Sequence, residues 1–326
     1  MEKDKYPPIT VAILNYNGSQ YLKRTIPKLL GLDYPNYEIL VVDNNSDDNS
    51  LSYLNRFKRI KVIKNKSNFG YSKGKNIAVK HSKGIFVLLL DNDILVEEIN
   101  ILKSLLKFYE RFEDVSFLSL LMVDKGKTKT KYFGIYYSLY GMNVHRRLID
   151  YRQIMKFHFN VKVGSFNGGA VFFKKIVWEE LGGYDDLQPI MLDDFDISAR
   201  SHIFGYSCYL YNMSVVTHLG KERDSNKKYF AWKFKYYFSG ISTMMFKNYN
   251  FYDLIIRFPL FFLSSLAMML AIIVSKRNIY VLYSFVYSYY FFINNLGIIL
   301  SKRRKIQGMR KMKGDSFLDI SPPSID

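Results

Sequence analysis

Two carboxylates one residue apart close an apolar run in Leu88-Leu89-Leu90-Asp91-Asn92-Asp93-Ile94. Residues 85–90 are uncharged and rich in branched side chains, the pattern of a strand buried on both faces. Alternate strand residues share a face, so Asp91 and Asp93 can point the same way. Two close carboxylates repel each other unless a cation lies between them. A hard divalent ion with oxygen ligands answers that need, and such an ion usually also holds substrate phosphates. The plain alternative is a solvated turn in which Asn92 or Asp93 caps the helix that follows. A second acidic cluster, Asp193-Asp194-Phe195-Asp196, opens a helical pattern that contains Arg200. Two polar stretches, Asn15-Tyr16-Asn17-Gly18 and residues 43–50, also follow apolar runs directly.

These groups need a scaffold that brings strand ends together. Residues 9–14, 38–42, 60–64 and 85–90 read as strands. Helical patterns over 19–30, 50–57 and from about 71 to His81 lie between them. The stretch Asn68-Phe69-Gly70-Tyr71-Ser72-Lys73-Gly74-Lys75-Asn76 opens the last of these. A helix over 97–113 and a strand over 115–123 follow, then a basic loop over 125–131. Residues 132–163 show no clear period. Ser165-Phe166-Asn167-Gly168-Gly169 precedes a strand over 170–173, and a helix over 175–181 ends at Gly182-Gly183, a fitting C-cap. Short strands over 206–211 and 214–217 lead to His218. Strands alternating with helices predict an α/β fold with a mostly parallel sheet and crossover helices. Ligands of such sheets bind just outside the carboxyl ends of the strands, where these polar stretches lie.

The 326 residues suffice for a full core, and the formal net charge is +18. That charge favours a polyanion: nucleic acid, an anionic membrane surface or a phosphorylated substrate. The single cysteine, Cys208, permits no intrachain disulfide. Residues 1–8 lack the apolar core of a signal peptide, which places the first domain in the cytoplasm. Past Gly220 the composition changes. Residues 227–249 mix Lys with Tyr, Phe and Trp232 and hold no acid, as in a basic amphipathic helix at a membrane surface. Residues 254–274 and 279–300 are long and apolar, joined by Ser275-Lys276-Arg277-Asn278. Both reach the ~20 residues of a spanning helix, and they read as a transmembrane hairpin or a re-entrant, interfacial pair. Lys302-Arg303-Arg304-Lys305 places the main domain on the cytoplasmic side. Basic residues beside apolar segments fit lipid headgroups better than nucleic acid. The chain therefore divides into an α/β domain over 1–220, a juxtamembrane helix over 221–250, a membrane hairpin over 251–305 and a basic, disordered tail over 306–326. Neither a Gly-x-Gly-x-x-Gly loop after the first strand nor a Gly-Lys-Thr/Ser phosphate loop occurs, which argues against a dinucleotide oxidoreductase or an ordinary ATPase.

Taken together, Val11-Ala12-Ile13-Leu14-Asn15-Tyr16-Asn17, residues 38–50 with Asp43-Asn44-Asn45, Asn68-Phe69-Gly70, Leu90-Asp91-Asn92-Asp93, Leu181-Gly182-Gly183-Tyr184-Asp185 and residues 193–200 resemble an inverting family 2 glycosyltransferase of the GT-A fold. The rhamnosyltransferase-like branch is the most similar in look. The resemblance covers about residues 9–220. It implies a UDP- or dTDP-sugar donor. Asp43 would accept from the base imide, beside Asn15, Tyr16, Asn17 and Asn45, with Asn68 and Gly70 nearby. Asp93 would ligate Mg2+ or Mn2+ on the diphosphate, and Asp91 and Asn92 would hold the ribose or the metal's waters. Lys73 or Lys75 would add positive charge there, unless they are solvated surface lysines. His218 would complete the metal site, or be a structural histidine. Gly168-Gly169 would let the backbone approach the donor sugar or the acceptor. Asp194 would be the general base, with Asp193 at the place where the family more usually has glutamate. Asp196 and Arg200 would pair on their helix.

The family's polymer synthases carry Gln-x-x-Arg-Trp, which is absent here, so one sugar per encounter is expected. The acceptor expected is a glycan or polyprenyl-linked saccharide of an envelope pathway. A sugar-nucleotide nucleotidyltransferase is the enzymatic rival, but it needs a Gly-rich loop with Arg after the first strand. A non-catalytic nucleotide-binding membrane adaptor explains the charge and leaves Asp194 idle.

Overall fold

The computed structural model describes residues 6–126, 128–130, 135–138, 143–144, 149–156, 161–187, 192–220 and 227–320. The apolar runs become strands and the periodic stretches between them helices. In order these are β1 (Ile9–Asn15), α1 (Ser19–Leu30), β2 (Tyr37–Asp43), α2 (Ser50–Leu54), β3 (Ile60–Lys64), α3 (Tyr71–His81) and β4 (Phe86–Asp91). After them come β5 (Ile94–Leu95), α4 (Ile101–Tyr109), β6 (Val115–Asp124), β7 (Lys129–Thr130), β8 (Tyr136–Tyr137), β9 (Asn143–Val144), β10 (Ile149–Asp150), α5 (Tyr151–Met155) and β11 (Val161–Val163). The α/β part ends with β12 (Ala170–Lys174), α6 (Lys175–Leu181), α7 (Asp193–Ile203) and β13 (Ser207–His218). Nearly half of the segment 132–163, which showed no period, lies outside the described residues.

The main sheet runs β11-β13-β6-β12-β4-β1-β2-β3, with β5 also on β13. Both of its faces are covered, as the uninterrupted apolar runs require. Val87 and Leu89 of β4 join the core under α3, α6 and α7, while Leu88 and Leu90 join the core under α1 and α4. Burying each such side chain stabilises the fold by about 1.5–3 kcal/mol.

The expected α/β sheet flanked by helices is present, and its strands are mixed in direction. β1 pairs in parallel with β2 and β4, and β6 with β13, but β12 lies antiparallel between β4 and β6. The chain enters β12 from the carboxyl edge of β4, so it can only run back. This reversal puts Gly168 and Gly169 beside Asp91, whose N–H donates to the Gly169 carbonyl at 2.9 Å. The two short strands expected before His218 form one strand, β13, with an irregularity between Tyr211 and Val215.

The C-terminal part consists of α8 (Lys227–Asn248), α9 (Phe251–Lys276), α10 (Tyr280–Asn294), α11 (Leu296–Gly308) and a 3-10 turn, Ser316–Asp319. α8 does not lie flat as a surface amphipathic helix. Phe238, Ile241, Met244 and Met245 are buried, and the helix packs among α7, α9, α10 and α11. The second apolar segment is not one helix either. It breaks at Asn295, whose side chain donates to the Phe291 carbonyl at 2.8 Å. α10 therefore has 15 residues, about 22 Å of helix, short of the ~30 Å hydrocarbon layer. Among the described residues, α9 alone is long and apolar enough to cross a bilayer.

The disordered tail is corrected as far as residue 320. Phe317 is fully buried against Tyr137, Tyr249 and His202. Asp315 accepts from the Asn250 N–H and pairs with Arg310, both at 2.8 Å. Apolar burial and a paired charge fix this segment, although its composition alone is polar and basic.

Candidate active site

The carboxyl ends of β1, β2 and β4 meet at one edge, and the loops there hold one another by amide and carboxylate bonds. Asp43 accepts from Asn15 Nδ2 and the Ser46 N–H, both at 2.8 Å, and from Ser46 Oγ at 2.6 Å. Asn15 Oδ1 in turn accepts from Asn92 Nδ2 at 2.8 Å, which links the ends of β1 and β4. Asn17 and Asn45 adopt positive φ of 49° and 63°; asparagine tolerates that left-handed conformation better than most residues. Asn44 is buried, donating to the Gly70 carbonyl at 2.9 Å and accepting from Asn65 Nδ2 at 2.7 Å. Gly70 also takes positive φ and caps α3, with its N–H on Asn68 Oδ1 at 2.9 Å. Tyr16, Asn17, Asn45 and Asn68 are exposed along this rim. Asp43 is fully buried and carries three donors, so it braces the loop that follows β2.

Lys75 is not a solvated lysine. It is fully buried on α3, 2.7 Å from Asp91 Oδ1, and also donates to Tyr71 Oη at 2.6 Å and to the Gly168 carbonyl. Burial pushes the Asp91 carboxyl up, Lys75 opposes that rise, and Asp93 adds to it. Lys73 instead lies over the Phe69 ring.

Gly168 joins this centre to the second acidic cluster. Its N–H donates to Asp194 Oδ2 at 3.3 Å, and a Cβ there would sit 3.1 Å from the hydroxyls of both Tyr71 and Tyr184. Asp193 and Asp194 open α7, where the helix dipole favours negative charge. Asp193 is buried and accepts from Ser72 Oγ at 2.9 Å. Asp194 is partly open and also accepts from the Phe195 N–H at 3.0 Å. Burial pushes Asp194 up to about 7, with the Asp193 charge adding to the rise, and pushes Asp193 up to about 6. Asp196 and Arg200 do pair, at 2.7 Å. Asp196 also meets Lys247 of α8 at 2.8 Å, and Lys247 reaches Asp185 as well.

Asp93 lies just beyond β4, with its Oδ2 3.2 Å from His218 Nε2. The His218 imidazole is raised above its usual range, chiefly by its hydrogen bond to Asp93 and against burial. Gly220 stands next to both: a Cβ there would come within 2.4 Å of Asp93 Oδ2 and 2.9 Å of His218 Nε2. Glycine thus keeps a space open between a carboxylate oxygen and an imidazole nitrogen. That donor set and that space fit a divalent ion of the Mn2+ kind, with its remaining positions left for phosphate or water. Asp91 is tied to Lys75, so of the two carboxylates it is Asp93 that faces the space.

The fold thus gathers Asn15, Asn92, Asp91, Lys75, Gly168, Gly169, Asp193 and Asp194 at one edge of the sheet, with Asp93 and His218 at its flank. Tyr71, Ser72 and Tyr184 lie in stretches the sequence singled out but carried no assigned role, and the fold brings them against Lys75, Asp193 and Gly168.

A sequence model described as glycosyl transferase family 2 matches residues 10–181, just over half the chain. The chain belongs to this family. Among relatives of the family 2 chain is glycosyltransferase GlyG of Streptococcus pneumoniae, 31% identical over 101 residues, which cover 30% of this chain and 33% of that one. The UDP-Glc:alpha-D-GlcNAc-diphosphoundecaprenol beta-1,3-glucosyltransferase WfgD of Escherichia coli is 31% identical over 87 residues, 26% of this chain and 34% of that one. The matched stretch thus spans about a third of each relative. The mannosyltransferase PcManGT of Pyrobaculum calidifontis, solved with GDP-Man and Mn2+, superposes with a TM-score of 0.56 at 16% identity, covering 97% of this chain and 86% of that one. The fold is accordingly that of the GT-A transferases, a mixed sheet flanked by helices.

Proposed function

We propose that this family 2 enzyme transfers one sugar per encounter from a UDP- or dTDP-sugar to a hydroxyl of a glycan or polyprenyl-linked saccharide, with inversion. The observation that carries the reading is Asp194. It is a partly open carboxylate raised toward neutrality, and only the Gly168 backbone separates it from the Lys75–Asp91 centre. A base poised near the working pH is the most effective one. Asp194 takes the proton of the acceptor hydroxyl while that oxygen bonds to the anomeric carbon. The bond from that carbon to the diphosphate breaks on the opposite face, its electron pair leaving with the diphosphate. Asp193, held by Ser72, stays behind as support. Asp93 and His218 would hold a divalent ion, Mn2+ or Mg2+, which when bound supplies charge stabilisation for the leaving diphosphate. Asn15, Tyr16, Asn17 and Asn45 line the nucleoside side. The rhamnosyltransferase-like resemblance favours dTDP, and the UDP-Glc of the E. coli relative favours UDP.

The membrane belongs to the same reading. Exposed Tyr252, Ile256, Leu263, Leu270 and Val274 recur along α9, and Ile279, Tyr283, Val286, Tyr290 and Ile293 along α10. Spacings of three, four and seven make each set one helical face. These faces rest in the cytoplasmic leaflet, since α10 is too short to cross, and they confine the enzyme to the surface that holds a lipid-linked acceptor.

The test is a panel of UDP-, dTDP- and GDP-sugars with and without Mn2+, on wild type and Asp194→Asn. Binding of one donor in both proteins, with turnover in wild type alone, supports the assignment. Failure of every nucleotide sugar to bind rules it out.

A further inference from the structure

β6 ends as β4 does, with an apolar run closing on a carboxylate, here Asp124. β6 pairs in parallel with β13, and the register sets Asp124 opposite His218. Two carboxylates therefore meet one imidazole on different nitrogens. Asp93 Oδ2 lies 3.2 Å from Nε2, and Asp124 Oδ1 lies 3.4 Å from Nδ1. The backbone fixes both residues. The Lys125 N–H donates to the His218 carbonyl at 3.1 Å, and the Leu219 N–H to the Asp93 carbonyl at 2.8 Å. Among the described residues no three His, Cys, Asp or Glu side chains gather as a metal cage. Asp124 stands behind the ring, on the nitrogen that does not face Asp93.

A neutral imidazole has one N–H and one lone pair. Without an ion Nε2 hydrogen-bonds Asp93; with an ion at Nε2, an acceptor at Nδ1 would keep the N–H there and leave the Nε2 lone pair for the ion. We propose that Asp124 is a positioning residue of the metal site, fixing the tautomer and aim of His218 so that Nε2 and Asp93 together receive the divalent ion. The proposal rests on the reading of Asp93 and His218 as the metal's protein ligands. Carboxylates in this role also make the imidazole a better donor, and their loss typically costs about 10–100-fold in metal affinity.

The experiment is Mn2+ titration in the presence of UDP, followed by the free-ion EPR signal. The proteins are wild type, Asp93→Ala, His218→Ala, Asp124→Ala and Asp124→Asn, with melting of each without metal as the check of folding. Asp124→Ala is expected to weaken Mn2+ binding about 10–100-fold with its metal-free melting unchanged. Asp124→Asn keeps the shape and a weaker acceptor, so its loss is smaller than that of alanine. If His218→Ala loses affinity while both Asp124 variants keep the wild-type value, the proposal is overturned and the metal reading stands. If Asp93→Ala and His218→Ala both bind Mn2+ as wild type does, the metal reading fails and takes the proposal with it. Should Asp124→Ala not fold, Asp124→Asn decides: wild-type affinity in that variant overturns the proposal.

Discussion

At the scale of residues, the candidate site is a set of charges held where water would not leave them. Burial raises Asp194, so the base reading carries a pH dependence. The deprotonated form does the work, so kcat/KM falls as pH drops through about 7, well above an ordinary carboxylate, and Asp194→Asn loses about 10²–10⁴-fold in kcat. Stability has the opposite sign: a carboxyl with a raised folded-state pKa stabilises most below its unfolded value, and that contribution is lost as pH rises toward about 7. Asp194→Asn should therefore melt higher than wild type at pH 8, which calorimetry reads directly. Lys75 sits at the other end of the balance. It is fully buried and pairs with Asp91, so Lys75→Met strands a carboxylate. About 3–5 kcal/mol of lost stability is expected, measured by urea denaturation. The pattern of Asp91, Asp93, Asp193 and Asp194 was legible in the sequence because strand ends and helix starts have clear signatures. The burial of Lys75 was not, since a lysine on a helix looks alike whether it points into water or into the site.

At the scale of elements, the decisive feature is a strand direction. β12 runs against its neighbours and so delivers Gly168 and Gly169 to the end of β4. Hydrophobic runs identify a strand but carry no sign of its direction, so the sequence reads as mostly parallel. The helices past Gly220 were legible as apolar segments, yet their ends were not. Asn295 breaks a run that contains no charge, and Lys302 and Arg303 serve as internal ties to Asp185 and to the carbonyls of Phe246 and Tyr249. A further tie connects α8 to α7, because Lys247 bridges Asp185 and Asp196, two residues from Asp194. Lys247→Met is expected to cost about 3–5 kcal/mol and to lower kcat more than donor affinity, since it loosens α7 and leaves the nucleoside rim intact. Phe317→Ala should cost about 3–5 kcal/mol through the cavity it leaves, a loss that a disordered tail would not show in thermal melting.

At the scale of the whole molecule, a strongly basic chain gathers its candidate site at one sheet edge and leaves continuous apolar faces on α9 and α10. If those faces lie in a leaflet, glutamate at Ile256, Val286 and Ile293 releases the enzyme from anionic vesicles in a flotation assay. Melting should change little, because these side chains are exposed. The central claim concerns chemistry at one carbon, and the anomeric configuration of the product tests it most directly. With an α-linked nucleotide sugar and wild-type enzyme, proton NMR should show a β-linked product, and Asp194→Asn should yield none. An α-linked product, or turnover by Asp194→Asn comparable to wild type, would contradict direct displacement with Asp194 as its base.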